Sequence, residues 1–246
     1  MNDKDLELLK FYRDSGIDYV LEDKKQVQEE EKVVEQKYML PSDWVVEAKK
    51  IADRCTSVEE LKKAIESFNG CEVKAMATNT VFADGNSQAK IMLIGEAPGM
   101  NEDLRGIPFC GASGDLLDKM LAAIELDRTK VYISNTMFWR PPGNRRPMDL
   151  ELEMCRPFVE KHIALVLPKI LVLVGGTATY SLLDQTKSIS RLRGQFHTYT
   201  NQYLDMEITT AVIFHPAYLL RQPMQKRLAW QDLKQIKEYI NNNIAP

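Results

Sequence analysis

The sequence predicts an α/β protein, a three-layer αβα sandwich with a central four-stranded, mainly parallel sheet. From residue 90 onward, short apolar segments rich in β-branched and aliphatic residues alternate with longer segments of helical periodicity. This alternation is typical of a parallel sheet whose two faces are covered by helices. The 44% of apolar residues is enough to build the core that such a sheet requires.

The strands and helices follow one another in a regular order. The four strands are predicted at residues 90–94, 131–134, 170–174 and 209–214. The helices that follow them are predicted at residues 114–124, 149–167, 177–183 and 225–242. The last of these helices closes the chain.

The N-terminal region differs from the rest of the chain. Residues 1–40 are rich in charge, and their helical periodicity around Leu6 and Phe11 predicts a short helix followed by a solvated linker. A tail that docks a partner is the alternative. Two further helices are predicted at 44–53 and 57–68, the second beginning with a capping-box pattern. We therefore predict an acidic N-terminal extension with helices over residues 1–68, and a main domain over residues 69–246.

Composition narrows the classes of function. The formal net charge is −3, but the acidic excess lies in the first 70 residues and leaves the remainder slightly positive. No apolar stretch is long enough to cross a bilayer, and the charged N-terminus lacks a signal-peptide segment. We expect a soluble, cytoplasmic protein that has no membrane partner. The four cysteines are far apart and are expected to be free thiols.

Each predicted strand leads into an unusual loop, and open parallel sheets bind ligands at the carboxyl ends of their strands. After the first strand, the segment 95–111 combines several glycines with Glu96, Glu102 and Phe109. Glycines allow backbone amides to approach a ligand closely, and the helix that opens at Gly114 favours an anion at its N-terminus. The loop matches neither a phosphate-binding P-loop nor a dinucleotide-binding pattern.

The other loops also carry polar and basic groups. Asn135, just past the second strand, presents a donor and an acceptor, which suits the edge of a nucleic-acid base. The proline-held loop 139–147 is basic and suits phosphate. The turn at 175–177 is explained by structure alone. The fourth strand runs into His215, which Pro216 restricts, and basic residues follow.

Four motifs in this order resemble family 4 uracil-DNA glycosylases. The resemblance covers roughly residues 69–240, and each motif follows a predicted strand. The motifs are Gly95-Glu96-Ala97-Pro98-Gly99, then Gly106 through Pro108-Phe109 and Gly111 to Leu116-Leu117-Asp118, then Asn135 before Arg140-Pro141-Pro142-Gly143-Asn144-Arg145, and His215-Pro216 before Leu219-Leu220-Arg221. The main domain is accordingly expected to be a uracil-DNA glycosylase domain that acts on uracil-containing DNA as a monomer.

The resemblance implies three residues around the base. Cleavage of the N-glycosidic bond of deoxyuridine requires a flipped base and stabilisation of a departing uracil anion. Phe109 would stack on the uracil, and Asn135 would read its edge and reject cytosine. His215 would hydrogen-bond the uracil oxygen that gains negative charge.

The resemblance also implies the residues around the sugar. Glu96 and the backbone at Ala97 would line the sugar side, while Glu102 and Asn144 would complete the pocket and position water. Related families place an acid at the position of Ala97, which cannot activate water itself. The water-activating group therefore stays open between Glu96, Glu102 and Asn144.

The remaining implied contacts are with the DNA strands. Leu219, Leu220 and Arg221 resemble a loop that enters the duplex, with packing at a helix start as the alternative. Phosphate contacts are expected from Arg140, Arg145, Arg146, Arg221 and Lys226.

One feature departs from the family. Most members hold a four-iron–four-sulfur cluster with four cysteines, whose positions correspond here to Cys71, Lys74, Trp139 and Cys155. A cluster held by two thiolates would be labile. We therefore predict no cluster and no cofactor, and no metal site beyond the remnant positions Cys71 and Cys155.

Three other functions fit parts of the pattern. The first is a non-catalytic DNA-binding module associated with replication, and the second is a related type that becomes covalently trapped on uracil DNA. The third is a glycosylase for another deaminated base. The residues of the base pocket argue against the first, and the absence of a histidine in loop 140–147 argues against the second.

Overall fold

The computed structural model describes residues 3–16, 40–183 and 187–244. The chain divides into two compact units, Met1–Tyr38 and Met39–Pro246. The first contains helix α1 (Asp3–Asp14), which confirms the short helix predicted around Leu6 and Phe11. The predicted linker, residues 17–39, lies outside the described residues.

The second unit is built on a six-stranded sheet. The strands are β1 (Asp84–Gly85), β2 (Ile91–Gly95), β3 (Tyr132–Asn135), β4 (Ile170–Val174), β5 (Phe196–Tyr199) and β6 (Ile208–Ile213). They lie in the order β1-β3-β2-β4-β6-β5. The four strands in the middle of this order are parallel to one another, and β1 and β5 pair antiparallel at the two edges.

The α/β class and the four parallel strands are confirmed, but the predicted number of strands was too low. The missed strands are the two edges, which bury little. Strand β1 has two residues, and β5 leaves Phe196 40% exposed, so neither has the continuous apolar run by which buried strands are recognised.

Helices cover both faces of the sheet and give the expected three layers. On one face, Met92 and Ile94 of β2 pack with Ala48, Leu61 and Phe158 from three helices. On the other face, Leu93 packs with residues of helices α6 and α11. This division follows from the alternation of side chains along a strand. The helices of the second unit are α2 (Pro41–Arg54), α3 (Val58–Ser67), α4 (Glu72–Met76), α5 (Met100–Arg105), α6 (Ala112–Ala122), α7 (Asp149–Val166), α8 (Gly176–Leu182), α9 (Ile189–Leu192), α10 (Pro216–Arg221) and α11 (Lys226–Asn243), with short 3₁₀ turns at Pro142–Asn144 and Pro223–Gln225.

Helices α2 and α3 belong to the same compact unit as the sheet. Their residues Ala48, Ala52, Leu61 and Ile65 are fully buried in the core. The compact unit therefore starts at Met39 rather than at residue 69. Where the functional domain begins along the chain stays a prediction.

None of the helices in the described ranges has the length and apolar character that crossing a membrane requires.

Candidate active site

A cleft of about 1090 Å³ opens at the carboxyl ends of the parallel strands. The loops that follow β2, β3, β4 and β6 form its walls, because parallel strands place all their carboxyl ends at one edge. Ten of the predicted site residues line it: Glu96, Ala97, Glu102, Phe109, Asn135, Asn144, Arg145, Arg146, His215 and Arg221.

Phe109, Asn135 and His215 converge within this cleft. The rings of Phe109 and His215 are stacked, with centroids 5.5 Å apart and planes 29° from parallel. Asn135 ends β3 and is 2% exposed. A Cβ atom at Gly95 would lie 2.4 Å from the Asn135 side-chain oxygen and 2.5 Å from the Phe109 ring. The side chains of Asn135 and Phe109 can occupy these positions because residue 95 has no side chain.

The backbone at Phe109 is held in an unusual conformation. Phe109 has a φ of 51°, in the left-handed region that residues with side chains rarely adopt. The Arg128 guanidinium donates to the Phe109 carbonyl and pairs with Asp84 at 2.6 Å and Asp118 at 2.9 Å. Arg128 was not foreseen from the sequence, because no motif surrounds it and only the fold brings it beneath the loop.

The carboxylate of Glu102 also holds this loop. One of its oxygens accepts hydrogen bonds from the backbone N–H groups of Cys110 at 3.0 Å and Gly111 at 2.9 Å. The other accepts from the backbone N–H of Gly99 at 3.1 Å. With both oxygens engaged by backbone, the geometry favours a role in shaping the pocket over the predicted role in positioning water.

Glu96 is held by the two neighbouring strand ends. The Thr177 hydroxyl donates to Glu96 Oε2 at 2.5 Å, and the Thr136 hydroxyl donates to the Glu96 carbonyl at 2.6 Å. Ala97 lies next to Glu96 in the cleft wall. The turn at 175–177, which the sequence explained by structure alone, thus contributes a side chain to the site.

The His215 ring is fixed by its own helix. His215 is the N-cap of α10, and its Nδ1 accepts a hydrogen bond from the backbone N–H of Ala217 at 3.1 Å. Nδ1 is therefore unprotonated, and a neutral ring carries its proton on Nε2.

The charge of the His215 ring follows from its surroundings. Burial lowers the pKa of His215 below its usual value, although the negative charge of Glu96 acts in the opposite direction. The ring is therefore neutral at pH 7, with Nε2–H as a hydrogen-bond donor.

The arginines of the basic loop after β3 make different contacts. Arg145 forms a two-pronged ion pair with the buried Glu151, at 2.5 and 2.9 Å, which ties the loop to α7. Arg146 lies 5.5 Å from the centre of the Tyr180 ring in the cleft wall. Arg140 donates to the side-chain oxygen of Asn144 at 2.6 Å. The side-chain oxygen of Asn144 therefore points towards Arg140. This hydrogen bond does not connect Asn144 to Glu96 or Glu102.

The residues of α10 differ in their exposure to solvent. Leu219 is 1% exposed and packs in the core, which is the alternative that the sequence left open for it. In this conformation Leu219 is not accessible for the predicted insertion into DNA, because its side chain packs with the helices on one face of the sheet. Leu220 is 44% exposed, and Arg221 and Lys226 are also exposed.

Comparison with known proteins gives consistent results. Residues 82–234, more than half of the chain, match the family model of the Uracil DNA glycosylase superfamily. A "Type-4 uracil-DNA glycosylase" of Sulfurisphaera tokodaii is 36% identical over 187 residues, which cover 74% of this chain and 84% of the relative. Proteins of the same name from Archaeoglobus fulgidus and Thermotoga maritima are 36% and 33% identical, over 74% of this chain and 92% and 94% of the relatives.

The chain belongs to the uracil-DNA glycosylase superfamily.

Within this superfamily member, the residues at the four cluster positions do not suit a cluster. Lys74 occupies the second position, and its ammonium donates to the carbonyls of Glu66 at 2.6 Å and Phe68 at 2.8 Å. Trp139 occupies the third, is 1% exposed, and donates from its indole to the Thr80 hydroxyl at 3.0 Å. An ammonium and an indole cannot donate electrons to iron as thiolates do.

The two cysteines that remain at the cluster positions implied by the resemblance to family 4 are close together. Cys71 and Cys155 are both buried, and a hydrogen bond between their thiols lowers the pKa of Cys71 and raises that of Cys155. Among the described residues, no three His, Cys, Asp or Glu side chains are grouped so that they could hold a metal ion.

Proposed function

We propose that this chain removes uracil from DNA by flipping the nucleotide into the cleft and hydrolysing the N-glycosidic bond, the first step of base excision repair. The observation that carries the proposal is the convergence of Phe109, Asn135 and His215 in one cleft of a superfamily member. The named relatives, each a "Type-4 uracil-DNA glycosylase", support the same function.

Base recognition rests on the buried end of the cleft. The Phe109 ring in the cleft wall offers a stacking surface for a flipped base that enters beside the fixed His215 ring. The Asn135 amide can donate to a uracil carbonyl and accept from the uracil N3–H. Cytosine reverses this donor–acceptor order and leaves the buried amide unpaired, a mismatch that costs about 1–3 kcal/mol.

Bond cleavage transfers the electron pair of the N-glycosidic bond to the uracil ring. The neutral His215 ring donates from Nε2 to the uracil oxygen on which the negative charge develops. Because Nδ1 is already committed to the backbone N–H of Ala217, the ring cannot rotate away from this orientation without losing that bond. Such a preorganised donor in a partly buried site stabilises the developing charge strongly.

The sugar side depends on Glu96. As the bond breaks, positive charge develops on the sugar, and the Glu96 carboxylate in the cleft wall stabilises it. A water molecule then attacks the anomeric carbon and completes the hydrolysis. Glu96 is the best placed of the three water-activating alternatives, because Glu102 is engaged by backbone amides and Asn144 by Arg140.

Binding of the DNA strands depends on the rim of the cleft. Arg146, Arg221 and Lys226 are available for phosphate, whereas Arg145 is held by Glu151. Leu220, next to Arg221, is an exposed apolar group that can fill the gap left by the flipped base. We propose that the protein does this as a monomer, since the cleft is formed within one chain.

The first experiment measures uracil release. A labelled oligonucleotide with a single uracil, single-stranded or paired, is incubated with the protein and cleaved by alkali. We expect uracil-dependent strand cleavage that is lost in His215→Ala. DNA binding without uracil release would overturn the enzymatic function and favour a non-catalytic DNA-binding module. Release of hypoxanthine but not of uracil would instead indicate a glycosylase for another deaminated base.

We also propose that the protein works without a cofactor. The support is the pair of residues at the second and third cluster positions, since Lys74 and Trp139 are packed and hydrogen-bonded there. Iron and acid-labile sulfide are measured on anaerobically purified protein, with Lys74→Cys/Trp139→Cys, checked for folding, as the comparison. We expect less than stoichiometric iron in the natural chain and cluster absorbance only in the double variant. A full cluster in the natural chain would overturn the proposal.

A further inference from the structure

We propose that Thr177 is a positioning residue that orients the Glu96 carboxylate towards the sugar and its attacking water. The inference deepens the proposed function and rests on it. Thr177 is the second residue of α8, directly after the turn that follows β4, and no motif of the sequence analysis assigns it to the site.

Glu96 is held by hydrogen bonds from two threonine hydroxyls. Glu96 follows β2, the strand that lies between β3 and β4 in the sheet. Thr136, just past β3, donates to the Glu96 carbonyl, and Thr177, just past β4, donates to its carboxylate. Both threonines are buried, at 1% and 3% exposure. The backbone and the side chain of Glu96 are thus fixed from opposite sides.

The Thr177 hydroxyl is not used as threonines near helix starts usually are. Such residues commonly cap the helix by bonding a nearby backbone group. Thr179, one turn into α8, makes the other common local bond, in which a hydroxyl within a helix donates to the carbonyl four residues earlier, here that of Gly175 at 2.9 Å. Thr177 instead donates to a side chain 81 positions earlier in the chain, at 2.5 Å. A short hydrogen bond to a carboxylate is of the stronger, charge-assisted kind.

The consequence is one of orientation. The bond to Thr177 engages Oε2 and restricts rotation of the carboxylate, so that Oε1 keeps a defined direction in the cleft that Glu96 lines. A carboxylate that stabilises charge on the sugar acts only from the correct position, and small misplacements are costly. Without the Thr177 hydroxyl, Glu96 keeps its charge but loses this restraint.

The test compares Thr177→Val, which keeps the shape but removes the hydroxyl, with Thr177→Ser, which keeps the hydroxyl. The matched control is Thr210→Val, another buried threonine, whose hydroxyl bonds only the Ile208 carbonyl within β6. Thermal unfolding is followed for each variant, and kcat and KM for uracil release are measured on single-stranded DNA. Thr177→Ala serves as a second variant in case valine disturbs folding.

We expect Thr177→Val to lower kcat by about ten- to a hundredfold, as for loss of a hydrogen bond to a charged group, with KM nearly unchanged. Thr177→Ser should restore most of kcat, and Thr210→Val should not lower it. In a Glu96→Gln background, Thr177→Val should have little further effect, because the two residues act together.

An unchanged kcat in Thr177→Val and Thr177→Ala would overturn the inference while leaving the proposed function intact. A rise in KM alone would do the same, because it would indicate a binding contact. Full additivity with Glu96→Gln would likewise contradict a role through Glu96. Absence of uracil release by the natural protein would instead overturn the proposed function, and the inference with it.

Discussion

At the scale of single residues, the site depends on the absence of a side chain at Gly95 as well as on the side chains that surround it. Gly95 is the last residue of β2 and lies against the side chains of Asn135 and Phe109. A methyl group at this position would overlap both side chains. Asn135 ends a strand, and Phe109 belongs to a loop that Arg128 and Glu102 hold in place. Moving either side chain aside would therefore disrupt close packing.

We predict that Gly95→Ala lowers uracil release by at least about a hundredfold, because a misplacement of about 1 Å costs that much. The comparison is Gly176→Ala, where the added methyl meets no atom within 4 Å. Initial rates and thermal unfolding are measured for both variants. Full activity in Gly95→Ala would show that the pocket yields, contrary to the packing seen here.

At the scale of elements, α10 presents two adjacent leucines to different environments. Leu219 is buried against the helices behind the sheet, and Leu220 is exposed beside the basic residues of the cleft rim. Neighbouring residues of a helix point about 100° apart, so an element at the edge of a core commonly buries one and exposes the next. The same sequence pair can therefore serve stability and DNA contact at once.

We predict that Leu219→Ala lowers the free energy of unfolding by about 2–5 kcal/mol, as for other large core truncations. Leu220→Ala should change it by no more than about 0.5 kcal/mol. The activity of Leu220→Ala should fall on double-stranded DNA and change little on single-stranded DNA, since a wedge matters only where a base must leave a stack. Denaturant titrations and rates on both substrates test this. Equal loss on both substrates would argue against a wedge.

At the scale of the whole molecule, a buried histidine couples the core to pH. His162 of α7 is fully buried, stacks on Phe82 at 4.4 Å, and shares a hydrogen bond with the Tyr132 hydroxyl at 3.1 Å. Its Nδ1 has no hydrogen-bond partner within the part of the chain that the structure describes. Burial lowers the pKa of His162 to about 3, far below the value of an exposed histidine.

The sign of the pH effect follows from this difference. Between pH of about 6.5 and about 3, the unfolded chain binds a proton at His162 that the folded chain excludes. The contribution to stability is full above the unfolded pKa and is lost as the pH falls through this window, by up to about 1.4 kcal/mol per unit.

We predict that His162→Phe, which keeps a stacked ring, flattens the acid side of the stability profile relative to the natural protein. Its stability at pH 8 should be lower, because the Tyr132 hydroxyl loses its partner. Free energies of unfolding from urea titrations at several pH values between 4 and 8 check this. Profiles that run parallel in acid would exclude His162 as the source of the acid sensitivity.

The α/β class, the four parallel strands and the loops that carry the site could be predicted from the sequence alone. This was possible because apolar periodicity reports burial, and because parallel strands bring the ends of distant segments to one edge. Asn135 and His215 were singled out from their positions after strands, whereas the resemblance to family 4 uracil-DNA glycosylases supplied Phe109 and the roles of all three residues. The cleft contains all three.

Only the tertiary structure decided which partner each polar group takes. The sequence could not pair Glu102 with three backbone amides, Arg145 with Glu151, or Thr177 with Glu96, because these contacts depend on how loops from different strands approach one another. The edge strands were missed, and the burial of Leu219 was left open as one of two alternatives, for a related reason. Local pattern reports whether a residue is apolar, whereas burial depends on what the rest of the chain packs against it.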